Sequence, residues 1–92
     1  MFAILDEGWQ PRIWQPAGPD WTAVTRALLA QGSRWLALVQ LRSGMASPVP
    51  MPGDVALTRA LFRHLRLLDM HLVDHLIVQG DTHFSFRARG LL

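Results

Sequence analysis

Four histidines (His64, His71, His75 and His83), seven carboxylates and nine arginines are the only side chains of this 92-residue sequence that carry charge near neutral pH. Imidazoles and carboxylates are the donors of a hydrolytic zinc site: the ion lowers the pKa of its bound water, and a separate carboxylate moves the proton. Spacing argues against gathering the histidines on one ion. His71 and His75 lie four apart in a segment that reads as a strand, which sets them about 13 Å apart on one side of it. His83 faces Val78 across a tight turn, on the opposite side from His75, and His64 belongs to a helix. With no cysteine, thiolate-held zinc and disulfides are excluded. Asp54 opens a helix, where an aspartate serves as a cap or dipole partner, with a metal-ligand role as the alternative. The adjacent Asp74 and His75 read as a structural hydrogen-bonding pair. There is no glycine-rich phosphate loop, nucleophile elbow or nucleotide fingerprint.

The arginines Arg59, Arg63 and Arg66, at i, i+4 and i+7, share one helix face. That face suits a phosphate or nucleic-acid contact, or is simply solvated. The sequence pI of 11.1 is no evidence for a basic protein, because the net charge is only +2. Every cation is an arginine, so almost nothing titrates between histidine and arginine and the calculated value drifts upward. Four arginines against three acids in residues 1–46, and five against four in 47–92, leave no basic half. Of the four tryptophans, Trp21 and Trp35 fall at core positions by periodicity. Trp9 and Trp14 flank a proline in a hairpin and belong either to a partner surface or to the core.

The elements that must position these groups follow from apolar periodicity. Phe2–Leu5 and Trp9–Trp14 form a hairpin around an Asp6-Glu7-Gly8 turn, with Pro11 confining the second strand to an edge or bulge. Pro16-Ala-Gly-Pro19 breaks the chain. A helix runs from about Asp20 to a stop at Gly32, with Trp21, Val24, Thr25, Leu28 and Leu29 at helical spacing. Trp35–Leu41 reads as a buried central strand and Arg42–Pro52 as an extended loop. A second helix runs from Pro52 to about Leu68 with an apolar stripe of Leu57, Leu61, Leu65 and Leu68. His71–Gln79 and Thr82–Phe86 pair around Gly80-Asp81, and a short tail follows. Strict alternation puts Val73, Ile77, Phe84 and Phe86 on one face of this last hairpin and Leu72, Leu76 and Val78 on the other. A sheet apolar on both faces must be covered on both.

The segment from Asp54 to Leu92 resembles the end of RadC-like proteins, a branch of the JAB/MPN domains. The helix opening with LTRAL, the strand LVDHLIV, the Gly80-Asp81 turn and the closing SFRARGLL carry the likeness. The resemblance implies an α/β fold in order ββ-α-β-α-ββ: a compact, three-layer, cytidine-deaminase-like domain around a mixed sheet. It spans residues 1–92 as one domain, without the helical domain that commonly precedes this module. It also implies zinc chemistry, through a His-x-His, a downstream Asp and a water-activating Glu. After WLALV, however, the family's HNHPSGD is replaced by QLRSGMAS. Gln40 and Arg42 hold the histidine positions, or Leu41 and Ser43 if the length difference is placed earlier. Met51 stands where a serine is expected, Asp54 alone stays in place, and the sole glutamate, Glu7, lies in the first turn.

The expected protein is therefore a non-catalytic RadC-like domain without catalytic residues or zinc, acting as a binding or scaffolding module. With its seven glycines counted, about 58% of the chain is apolar against a usual 45–50%, an excess that points to a partner, a second copy of the chain or another protein. A zinc-dependent hydrolase rebuilt from Asp54 and the histidines is the first alternative. A DNA-repair-associated nucleic-acid accessory protein using Arg59, Arg63 and Arg66 is the second. The N-terminus lacks a signal-peptide pattern and no run approaches a membrane span, so a cytoplasmic location is expected.

Overall fold

The computed structural model describes residues 1–18, 20–44 and 47–92. Pro19, Met45 and Ala46, in the predicted chain break and loop, lie outside them. The elements come in the expected order: β1 (Phe2–Leu5), β2 (Pro11–Gln15), α1 (Thr22–Ala30), β3 (Trp35–Leu41), α2 (Pro52–Leu67), β4 (His71–Gln79) and β5 (Thr82–Ser85). They build one α/β domain around a mixed sheet of order β2-β1-β3-β4-β5. β1 is antiparallel to both β2 and β3, β3 is parallel to β4, and β5 closes an antiparallel hairpin.

That topology decides where the helices go. β2 and β3 both oppose β1 and so run parallel to each other, which makes α1 a crossover from β2 to β3. α2 is the crossover from β3 to β4, a step in the same direction. Right-handed crossovers then place both helices on the same face. The main core bears this out, joining Val24 and Leu28 of α1 and Leu61 and Leu65 of α2 to Phe2, Ile4, Leu36, Leu38 and Leu72. On the opposite face, Ala3, Leu5, Ala37 and Val73 form a smaller cluster under Trp35. No helix among the described residues covers it, so side chains alone stand where the third layer of the resembled architecture would lie.

Local chemistry explains the ends of the helices. Gly32 sits at φ 61, with Gly32 N–H donating to Leu29 and Ser33 N–H to Leu28. This is the left-handed cap that lets a glycine end a helix. Asp69 takes the same position after α2, at φ 57, with the equivalent bonds from Asp69 to Arg66 and Met70 to Leu65. Sequence periodicity misjudged the buried stripe of α2. Thr58, Leu61 and Leu65 are buried, whereas Leu57 and Leu68 are 37% and 45% exposed. The stripe is rotated toward Thr58 because the hydroxyl has partners inside the core. On α1, Leu29 likewise points outward and only Val24 and Leu28 are buried.

A one-residue bulge corrects the predicted faces of β4. Leu36 pairs with Leu72 but Ala37 pairs with Asp74, so Val73 is an extra residue in the ladder. Leu72 therefore joins the helix-side core and Val73 the opposite cluster, the reverse of strict alternation. From Asp74 onward the parity is shifted. His75 follows Leu38 toward the helices, whereas His71 follows Trp35 to the other face. The two histidines thus project to opposite sides, not to one. Asp74 and His75 are hydrogen-bonded neighbours, as the sequence suggested, through the His75 backbone and not its ring. Asp74 Oδ1 accepts the His75 and Arg87 backbone N–H groups and Oδ2 accepts the Ser85 hydroxyl, so it clamps the tail instead of orienting the imidazole.

Candidate functional site

Three segments converge on the helix side of the sheet: the end of β3, the first turns of α2 and the middle of β4. His75 is fully buried there. Its Nδ1 lies 2.5 Å from Thr58 Oγ1 and its Nε2 2.6 Å from Gln40 Oε1. The Phe86 ring stacks on the imidazole at 4.4 Å. Gln40 Oε1 faces Nε2, and the Thr58 hydroxyl, which has a single proton, lies between Nδ1 and the Asp54 backbone carbonyl at 2.8 Å. Two residues along β3 the strand ends, and Arg42 turns toward the start of α2. There it forms an ion pair with Asp54, both side chains being largely buried. The other arm of the guanidinium donates to the Ser47 and Val49 carbonyls, at 3.1 and 2.8 Å. Asp54 also accepts the Met51 backbone N–H at 2.7 Å. It caps α2, as its position suggested, and anchors a cation as well.

Each charge state has a physical cause. Burial, aided by the Arg42 charge, pushes the His75 pKa down to about 4 against the opposing pull of Asp54 and Asp74. Burial alone would raise the Asp54 carboxyl, but the Met51 N–H and the Arg42 guanidinium outweigh it and hold it below the usual carboxylate value. The site is therefore a neutral imidazole beside an internally compensated ion pair.

The remaining predicted residues lie elsewhere. Arg59, Arg63 and Arg66 are exposed along α2. Trp9 and Trp14 are 44% and 50% exposed, while Trp21 and Trp35 are half-buried against the two core clusters. His64 packs against Trp21 between the helices, with Nε2 3.4 Å from Thr25 Oγ1, and His71 and His83 are exposed. Sequence reading missed the cluster of Thr58, Gln40 and His75. Its one visible signal was a threonine four residues after Asp54, on the face of α2 turned toward the sheet.

A family model of the RadC-like JAB domain matches residues 21–91. The chain belongs to that family. A UPF0758 protein of Roseiflexus sp. (strain RS-1) is 43% identical over 44 residues, 48% of this chain and 19% of that protein. One of Chloroflexus aurantiacus is 46% identical over the same length and shares, and one of Pseudoalteromonas translucida is 42% identical over 50 residues, 54% and 21% of the two chains. The aligned part of the chain thus spans about a fifth of the length of these curated relatives.

In this RadC-like JAB domain the residues do not fit the zinc ion that the fold implies. The site's register favours Gln40 and Arg42 over Leu41 and Ser43 as the replaced pair, because Gln40 and Arg42 face His75 and Asp54 while Leu41 is 78% exposed. Asp54 is engaged by Arg42, and His75 is held on both ring nitrogens. Among the described residues no three His, Asp or Glu side chains gather as a metal cage. A permanently charged guanidinium held on the one remaining carboxylate repels a dication.

Two outcomes follow for the site. The His75 pKa is lowered on folding, so the unfolded chain binds more protons between pH 6.5 and about 4. Folding stability is then full above pH 6.5 and falls as pH drops toward 4, by roughly 3 kcal/mol at most. Urea unfolding across that range should show this slope in the wild type and lose it in His75→Gln. Arg42→Ala leaves Asp54 and two loop carbonyls without their partner and should cost roughly 3 kcal/mol. In a double-mutant cycle with Asp54→Asn, most of that loss should be shared between the two substitutions.

Proposed function

We propose that this RadC-like JAB domain is non-catalytic and serves as a binding or scaffolding module. The observation that carries the reading is the Arg42–Asp54 ion pair at the positions where the family's metal ligands would stand. A zinc hydrolase needs imidazole and carboxylate donors, an open coordination place and a separate carboxylate free to move a proton. Here the donor positions hold Gln40 and Arg42, and Asp54 is bound to the guanidinium. The exposed histidines, His71 and His83, cannot join Asp54, because both lie on the helix-free face or at its edge.

The surface such a module offers is that helix-free face. Trp14, Val39, Leu41, Leu76 and Val78 share it by register, over a floor of Ala3 and Ala37. A second copy of the chain is the partner that best suits a self-complementary apolar sheet. No helix of the described residues is long and apolar enough to cross a membrane.

Gel filtration after zinc loading, with elemental analysis of the eluted peak, tests the proposal. Wild type should elute as a dimer with far less than one zinc per chain, and Trp14→Ala should shift it toward the monomer. Gln40→His combined with Arg42→His restores the His-x-His spacing and should gain about one zinc. Stoichiometric zinc on wild type, lost in Asp54→Ala, would sink the non-catalytic reading.

A further inference from the structure

Trp9 stands at φ 64, a left-handed backbone conformation that a bulky residue rarely adopts. The turn that follows Asp6 enforces it: Asp6 Oδ1 accepts the Gly8 and Gln10 backbone N–H groups, and the Asp6 carbonyl accepts that of Trp9. The indole is 44% exposed, so full burial of the ring does not offset the strain. What the ring meets is a charge, the Arg87 guanidinium 4.5 Å from its centre. Arg87 is itself placed by the fold, through the bond from its backbone N–H to Asp74.

Both side chains line a cavity of about 380 Å³ at the end of the sheet where β3 and β4 begin, together with Trp35, Phe62, Arg66 and His71. That volume lies at the small end of the range for organic ligands. The Arg66 guanidinium is 5.8 Å from the centre of the Phe62 ring, so a second cation rests on an aromatic face. A ring positions a guanidinium without cancelling its charge, as a carboxylate would. No carboxylate side chain among the described residues lines the cavity, and neither arginine has an ion pair among them. Asp69, which lines the adjoining cavity beside Arg66 and His71, is paired with Arg34. Two uncompensated cations and three aromatic rings thus share one small space.

We propose that this cavity is a binding site for a small planar aromatic carboxylate, its charge met by Arg66 and Arg87 and its ring by Trp9 and Trp35. The planar fork of a guanidinium matches a carboxylate, and His71 adds a ring N–H donor. Indole faces take a flat apolar ring in offset or edge-on contact. A neutral aromatic leaves both guanidiniums unmet, and an aliphatic acid leaves the rings unmet. The cavity lies at the opposite end of β3 from Gln40 and Arg42, so the assignment does not depend on whether the domain holds zinc.

Titration of the chain with naphthoate, followed by NMR through the indole N–H signals of its four tryptophans, tests the site. The Trp9 and Trp35 signals should move together and saturate by about 1 mM probe, while those of Trp14 and Trp21 stay in place. Naphthamide, the neutral analogue, should bind wild type about tenfold more weakly, because it forgoes the charge-assisted bonds. Arg66→Gln and Arg87→Gln should each weaken naphthoate by about the same factor, and Arg26→Gln, on the exposed side of α1, should not. Trp9→Gly should abolish the Trp35 response, since glycine takes that backbone freely and the change removes only the ring. The same spectra show that each variant is folded, and the naphthamide comparison needs no variant at all. The proposal is overturned by any of these results: no saturable movement of Trp9 and Trp35, naphthamide binding as tightly as naphthoate, an Arg26→Gln loss equal to that of Arg87→Gln, or binding retained in Trp9→Gly.

Discussion

The contact between Arg42 and Asp54 ties the end of β3 to the start of α2. One partner stands just past the end of β3 and the other in the first turn of α2, so the pair closes the loop between them. The guanidinium reaches two carbonyls of that loop, and the carboxylate caps the helix that follows. The start of α2 sets where Thr58 lies, and Thr58 in turn meets His75. Lost charge at either end would propagate into the buried imidazole.

A metal ion and an arginine do this job differently. The ion is exchangeable and its ligands must be deprotonated, so the architecture depends on supply and on pH. An arginine is supplied by the chain and keeps its charge at any pH the fold survives. Its planar fork also satisfies several acceptors at once, which a relaxed loop such as Ser47–Val49 can use.

Much of this was legible in the sequence, for a physical reason. The strands Trp35–Leu41 and His71–Gln79, the Gly80-Asp81 turn and the Gly32 stop come from local apolar patterns and turn chemistry, and the structure has each where it was expected. The lack of an imidazole after WLALV was readable from residue type alone, with Gln40 and Arg42 or Leu41 and Ser43 as the pair in question. What stayed hidden depends on residues far apart in the chain. The ion pair needs the end of β3 to approach α2, and the two bonds to the His75 ring need the parity of β4. Val73 makes that parity unreadable, because a bulge leaves no mark in composition.

The bulge has a meaning beyond its effect on prediction. In a two-residue repeat, one extra residue acts as a phase shift: everything after it changes sides while everything before it stays. β4 is thus two half-strands spliced out of phase. The first is addressed by β3 in one frame and the second in the other. Within the second half, ordinary alternation sends Asp74 to the tail and His75 into the core, so the bulge chooses which of the two neighbours is buried beside Thr58 and Gln40.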